Sequence, residues 1–125
     1  MGPVDEIVLT LPRERPFYAV AHLVLGGLAA RLNLTVEHLE DLQLAIDSVL
    51  AEKDGGGDVT VRLRVHDASI EAQIGPFSGT LSTELEQEQE GQVGLRRILS
   101  TVVDEVQLAE EQGETWVTLA KSVAS

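Results

Sequence analysis

The chain has no cysteine, few basic residues and no long apolar run, and each absence excludes a class of protein. Without cysteine there is no disulfide, no thiolate metal site and no cysteine nucleophile. No apolar run approaches the length that crosses a bilayer, and the N-terminus has no basic patch before an apolar stretch. We therefore expect neither a secreted nor a membrane protein, and we expect a cytoplasmic location.

Basic residues are outnumbered, with 9 Lys and Arg against 21 Asp and Glu and a formal net charge of −12. That charge lies outside the magnitude of about 2–8 that is usual for a small soluble domain. Phosphate backbones and anionic membrane surfaces would be repelled, so we expect no nucleic-acid partner and no membrane partner. A basic protein surface is the natural electrostatic complement.

Metal chemistry has little support either, because the three histidines are far apart in sequence and none has a partner at ligand spacing. They are His22, His38 and His66. The length of 125 residues fits one domain with a two-layer core, so we treat residues 1–125 as a single domain.

The first half of the chain shows one strand pattern followed by two helical patterns. Residues 6–11 alternate between apolar and polar, which predicts a half-buried strand. Residues 15–32 predict a helix, and its expected buried stripe comprises Val20, Leu23, Val24, Leu28 and Leu32. Thr35 is the predicted N-cap of a second helix that turns Leu39, Leu42, Ile46, Val49 and Leu50 inward.

The second half is dominated by strand patterns. Residues 59–65 and 70–74 alternate and predict an antiparallel hairpin. The segment 75–79 breaks the pattern, and the acidic residues 80–90 predict a loop. A third helix near residue 94 precedes two strands that we place at 103–108 and 115–119, with a turn at Gln112 and Gly113.

This order of elements predicts an α+β fold. Helices segregated from mostly antiparallel strands are typical of a two-layer sandwich, with helices on one face of the sheet and solvent on the other. We expect a mixed, mostly antiparallel sheet.

A pair of glycines, Gly91 and Gly94, precedes the third helix, which begins near Leu95. A helix that starts in such a turn presents unpaired N–H groups and the positive end of its dipole, which favour an anion such as phosphate. A glycine turn before a helix also serves as plain connection chemistry, and both interpretations stay open.

The element order, together with the segments 40–46, 91–95 and 103–106, resembles the anti-sigma-factor serine kinases. These belong to the ATPase superfamily of gyrase, chaperones and histidine kinases, which share the Bergerat fold. The resemblance covers nearly the whole chain. It implies a helix-on-sheet fold that holds ATP with magnesium between two helices, binds a sigma factor and phosphorylates a serine of an antagonist protein.

In that family the second helix carries a Glu that acts as general base and, four residues later, an Asn that binds magnesium. One alignment register places Ser48 and Glu52 at these positions, and a shift by one places Asp47 and Ala51 there. A serine without an adjacent base cannot take a proton at neutral pH, whereas Glu52 remains a candidate magnesium ligand. The candidate catalytic residues are therefore Asp47 and Ser48.

The purine motif departs further from the family pattern, in which an Asp followed by glycines accepts the adenine amino group. The segment 75–79 keeps Gly75 and Gly79 but lacks the acid, and a hydrogen bond to a charged group is worth about 1.5–3 kcal/mol. The glutamates before the third helix have the wrong sign for a triphosphate. The candidate nucleotide cleft comprises Gly75, Gly79, Gly91, Gly94 and Leu95.

The leading hypothesis is a regulatory domain of the anti-sigma type that binds a sigma factor or its antagonist through the first helix, near His22 and the pair Gly26 and Gly27. Nucleotide binding and kinase activity are expected to be weakened or lost, so the implied ATP and magnesium are weighed against no cofactor. One alternative is an active ATP-dependent serine-protein kinase, and another is a structural oligomerisation domain. A homodimer also stays open.

Overall fold

The computed structural model describes residues 5–32, 34–51, 57–66, 69–77 and 95–122. The predicted Gly91, Gly94, Gly79 and Glu52 sites and the acidic segment 80–90 lie outside these residues. The described part forms one sheet with helices packed on one face, as predicted.

Five strands form the sheet: β1 Asp5–Pro12, β2 Asp58–His66, β3 Ser69–Phe77, β4 Glu105–Glu111 and β5 Glu114–Ser122. Their order in the sheet is β1-β2-β3-β5-β4, so β3 is central. Every pairing between these described strands is antiparallel, so the predicted mixed sheet is wrong in that detail. The cause lies in the helices between β1 and β2, which return the chain to the end of the sheet where β1 finished, with Pro12 opposite Asp58.

The β4–β5 hairpin confirms the predicted turn. Gln112 has φ 54° and Gly113 has φ 80°, the left-handed pair that a two-residue hairpin loop requires. β4 begins at Glu105 rather than at Val103, because the amide of Val103 continues the third helix by donating to the carbonyl of Leu99 at 2.9 Å.

The helices are a short 3-10 turn Arg15–Phe17, α1 Tyr18–Leu32, α2 Val36–Leu50 and α3 Leu95–Val102. Thr35 is the N-cap of α2, as predicted, since its Oγ1 accepts from the His38 amide at 3.0 Å. The first turn of α2 also carries Glu37, which suits the positive end of the helix dipole.

The core lies between the helices and the sheet, and the strand and α2 patterns are confirmed. The buried strand residues follow the predicted alternation: Val59, Val61, Leu63, Ile70, Ala72, Ile74, Val117 and Leu119. In α2 the buried residues are Leu42, Ala45, Ile46, Val49 and Leu50, while Leu39 is partly buried against the same cluster.

The predicted buried stripe of α1 is wrong in part. Leu23 is 76% exposed and Val20 is also exposed, whereas the helix buries Ala21, Leu25, Leu28 and Ala29. This helix is apolar on almost every side, so its periodicity does not distinguish one face from another. Small alanines on the inner face let the helix lie close to the core.

None of the described helices combines the length and the apolar character that crossing a bilayer demands.

Candidate functional site

The candidate site lies where the C-terminal turn of α2, the first turn of α3 and the end of β3 meet. Away from this site, Lys121 near the end of β5 contacts both α2 and α3 and shows how the two helices are oriented. Its Nζ donates to the carbonyl of Val102 at 2.8 Å, at the last residue of α3, and lies 3.2 Å from Oδ2 of Asp41, in the first half of α2. Because α2 and α3 pack along each other, the end of α2 lies toward the start of α3.

Tyr18 closes the same end of the molecule from the side of α1. Its hydroxyl donates to the carbonyl of Leu50 at 3.0 Å, so the last turn of α2 is held beside the first turn of α1. Because Tyr18 follows β1 by only a few residues, the end of α2 lies close to the ends of β1 and β3.

The two candidate catalytic residues lie on different flanks of α2. Ser48 is seven residues from Asp41 and therefore shares its flank, on the side of Lys121 and α3. Its Oγ donates to the carbonyl of Leu44 at 2.7 Å, one turn back in the same helix. This is the usual hydrogen bond of a serine within a helix, and it requires no catalytic role.

Asp47 faces α1 instead. Its Oδ1 lies 2.6 Å from Nε2 of His22, and both side chains are about 40% exposed. The carboxylate is therefore engaged by a side chain of the neighbouring helix, on the flank away from α3. The alignment register that selects Ser48 therefore places its candidate on the side of α3, whereas the register that selects Asp47 places its candidate on the side of α1.

Gly75 has a reason to be glycine that does not involve a nucleotide. β3 does not end before it, as the sequence pattern predicted, but continues through Pro76 to Phe77. A Cβ on Gly75 would lie 2.6 Å from Cδ2 of Trp116, on the sheet face away from the helices. The guanidinium of Arg62 covers the indole at 5.2 Å from its centroid, so an aromatic–cation stack occupies this face.

Leu95 is the first residue of α3, which agrees with the predicted helix start. Three contacts at this end were not predicted. Thr115 is buried on β5 opposite Phe77, Arg13 donates a hydrogen bond to the carbonyl of Pro76, and His22 pairs with Asp47. Each is separated from its partner by at least 25 residues, so no local spacing indicated the contact.

Comparison with known proteins gives a consistent answer. No protein-family model matches the chain. A serine-protein kinase named RsbW from Bacillus velezensis is 27% identical over 90% of this chain and 82% of its own length. The RsbW of Bacillus subtilis is 25% identical over 89% of this chain, and that of Listeria innocua is 23% identical over 87%. The resemblance to the anti-sigma serine kinases is thereby confirmed.

A solved structure shares the fold. The crystal structure of the RsbU and RsbW domains of Rv1364c from Mycobacterium tuberculosis aligns with 95% of this chain, with a TM-score of 0.66 and 16% identity. This chain spans about a third of that solved chain, 32% of its length. The likeness confirms the predicted α+β sandwich.

Proposed function

We propose that this chain, a relative of the serine-protein kinases named RsbW, is a regulatory protein of the anti-sigma type that binds a sigma factor or its antagonist and has weakened nucleotide binding. The observation that carries the proposal is the outer face of α1, which we define as Val20, Leu23, Gly27 and Ala30. All four residues are exposed.

The outer face of α1 is unusual for so charged a protein. Asp, Glu, Lys and Arg make up 24% of the chain, yet every exposed residue between positions 19 and 30 is uncharged. Phe17, one turn before Val20, is also exposed. An apolar face of this kind is typical of a protein contact, since covering it releases about 25 cal/mol for each Å² of apolar surface.

The shape of this surface also suits a partner. Apart from the adjacent residues and the backbone of α1 itself, nothing in the described structure lies within 4 Å of a Cβ placed on Gly26 or Gly27. Neither glycine therefore packs tightly against the second helix. The glycines leave a shallow notch beside Leu23, and a notch without side chains allows a partner backbone to approach closely.

Polar groups border the apolar face, as is typical of protein interfaces. The His22–Asp47 pair lies on the flank toward α2 and is part-exposed. It offers a hydrogen-bonding rim, and the remaining acidity of the chain favours a partner with a basic surface.

The test is binding of candidate sigma factors and antagonist proteins to the purified chain, measured by titration calorimetry. We expect Leu23→Asp to weaken binding by at least about tenfold, or about 1.4 kcal/mol, because it places a charge at the centre of the apolar face. Val8→Asp is the matched control. Val8 is 51% exposed on the opposite face of the sheet, so the same change of charge there should leave the affinity within about twofold.

Two outcomes would contradict the proposal. One is equal binding by Leu23→Asp and the wild type, which would place the contact elsewhere. The other is that no sigma factor or antagonist binds at all.

An active serine-protein kinase is the second candidate function, and the names of the relatives favour it. Transfer of labelled phosphate from ATP to a serine of an antagonist protein, in magnesium or manganese, would establish this activity. In that case Gly91 and Gly94 are the residues that we expect to hold phosphate, with Asp47, Ser48 and Glu52 in the catalytic and metal-binding roles. If no phosphate is transferred with either metal, the kinase activity is contradicted and partner binding is the proposed function that stands.

A further inference from the structure

The end of β3 turns an aromatic side chain toward the helices. The register of β3 and β5 shifts between Ile74 and Phe77, and the shift brings Phe77 opposite Thr115. Phe77 is 1% exposed and is among the largest fully buried side chains of the described residues. A phenyl ring therefore fills the end of the sandwich where β3 approaches the candidate site.

Arg13 covers this ring from the side of β1. Its guanidinium donates a hydrogen bond to the carbonyl of Pro76, and its Cζ lies 5.2 Å from the centroid of the Phe77 ring. A guanidinium at this distance from an aromatic face is attracted by the ring quadrupole. The hydrogen bond and the ring contact hold the arginine in one place.

These residues do not fit a purine. The family resemblance requires a carboxylate after the middle hairpin to accept the adenine amino group. The described residues at that position are Gly75, Pro76 and Phe77, which offer no side-chain acceptor, and proline has no N–H. The carbonyl of Pro76 already accepts from Arg13, which leaves one lone pair beside a bound guanidinium.

We propose that Arg13 and Phe77 form an internal cap that excludes purine bases from this end of the molecule. Weak nucleotide binding then has two causes: the missing acid, and a ring with a covering guanidinium in the place of the base. The inference rests on the proposed function, because it supplies the physical cause of the weakened nucleotide binding. The inference concerns only the end of the site where the adenine base would lie, and it uses no residue that would contact the phosphates.

The test uses adenosine, which carries the base without phosphates, and follows its binding by NMR chemical-shift titration. We expect no saturable binding of adenosine to the wild type at millimolar concentration. The variant Arg13→Ala/Phe77→Ala removes the cap and leaves an apolar cavity. It should bind adenosine saturably, at least about tenfold more tightly than the weakest affinity that the titration of the wild type can detect, since dry apolar cavities bind flat aromatic molecules.

The control is Arg13→Ala/Ile70→Ala. Ile70 is fully buried on the same face of β3 but at its other end, so this variant also loses the guanidinium and one core side chain but keeps the phenyl ring of Phe77. It should bind adenosine no better than the wild type. Arg13→Ala/Phe77→Leu keeps more of the core and serves if the alanine variant does not fold. It should still bind adenosine saturably, which the wild type does not.

Saturable adenosine binding by the wild type would overturn the cap, and so would a folded cap variant that binds no better than the Ile70 control. Neither result bears on partner binding, because Leu23 on the outer face of α1 takes no part in the cap. Conversely, loss of partner binding in every assay would refute the proposed function and leave the adenosine result standing.

Discussion

Replacing Leu25 with alanine is expected to lower the free energy of unfolding by about 2–5 kcal/mol, because it removes a fully buried side chain from the helix that closes the core. Leu25 lies on the inner side of α1 and belongs to the same cluster as the buried residues of α2 and the sheet. The loss combines the transfer free energy of the missing methyl groups with the cost of the cavity that remains.

Leu23→Ala is the matched control for this prediction. The two leucines are two positions apart in one helix, but Leu23 is 76% exposed. The same truncation at Leu23 should therefore change the unfolding free energy by no more than about 0.5 kcal/mol. Urea denaturation followed by circular dichroism measures both. Similar losses for the two variants would mean that α1 is rotated relative to the described structure.

This pair of variants also supports the binding experiment. A Leu23 that contributes little to folding leaves its apolar side chain without a structural role in the isolated chain. Loss of partner binding in Leu23→Asp would then report the contact itself and not a damaged fold.

The second large effect is expected at Gly75. Gly75→Ala should lower the unfolding free energy by about 1–3 kcal/mol, since the added methyl group overpacks against the indole of Trp116. The Cβ would lie 2.6 Å from Cδ2 and 2.8 Å from Cε3 of that ring. Moving the indole away from the strand costs free energy, because Arg62 covers it and is itself hydrogen-bonded to Gln73 at 3.1 Å.

Gly26→Ala is the control of opposite sign. Apart from the adjacent residues and the backbone of α1 itself, nothing described lies within 4 Å of its added Cβ, and alanine in a helix is favoured over glycine by about 0.5–1 kcal/mol. Gly26→Ala should therefore raise stability while Gly75→Ala lowers it, in the same thermal or urea unfolding assay.

A double variant identifies the cause at Gly75. If the clash with Trp116 is responsible, Trp116→Leu should absorb part of the cost, and the two changes should not be additive. A neutral Gly75→Ala variant would contradict the close approach of the indole to the strand.

Prediction from the sequence succeeded where one face of an element is apolar and the other polar. The alternation in β2 and β3 identified Val61, Leu63 and Ile74 as core residues, and the pattern of α2 identified Ile46. In these elements a single local period decides which side is buried, so the inward set follows without knowledge of the neighbours.

The same method failed at α1 because that helix has no polar stripe. With apolar residues on nearly every side, only the packing against α2 and the sheet selects Leu25 for the core and leaves Leu23 in solvent. The unexplained apolar side is also what motivates the proposed partner surface.

The candidate site was likewise predicted only in part from the sequence. The lack of an acid in the segment 75–79 and the choice between Asp47 and Ser48 were evident from the sequence. The use of Asp47 by His22 was not, since the two residues are 25 positions apart and belong to different helices. A local sequence pattern does not show which side of a helix contacts a particular neighbouring helix.

By itself the sequence determined the order of elements, the antiparallel hairpins, the cap of α2 and the absence of a carboxylate at the purine motif, because each depends on neighbours within a few residues. Only the tertiary structure decided the buried side of α1, the indole that requires Gly75, and the covering of Phe77 by Arg13. These depend on strand register and helix packing, which bring together side chains that are distant in the chain and fill the space between them.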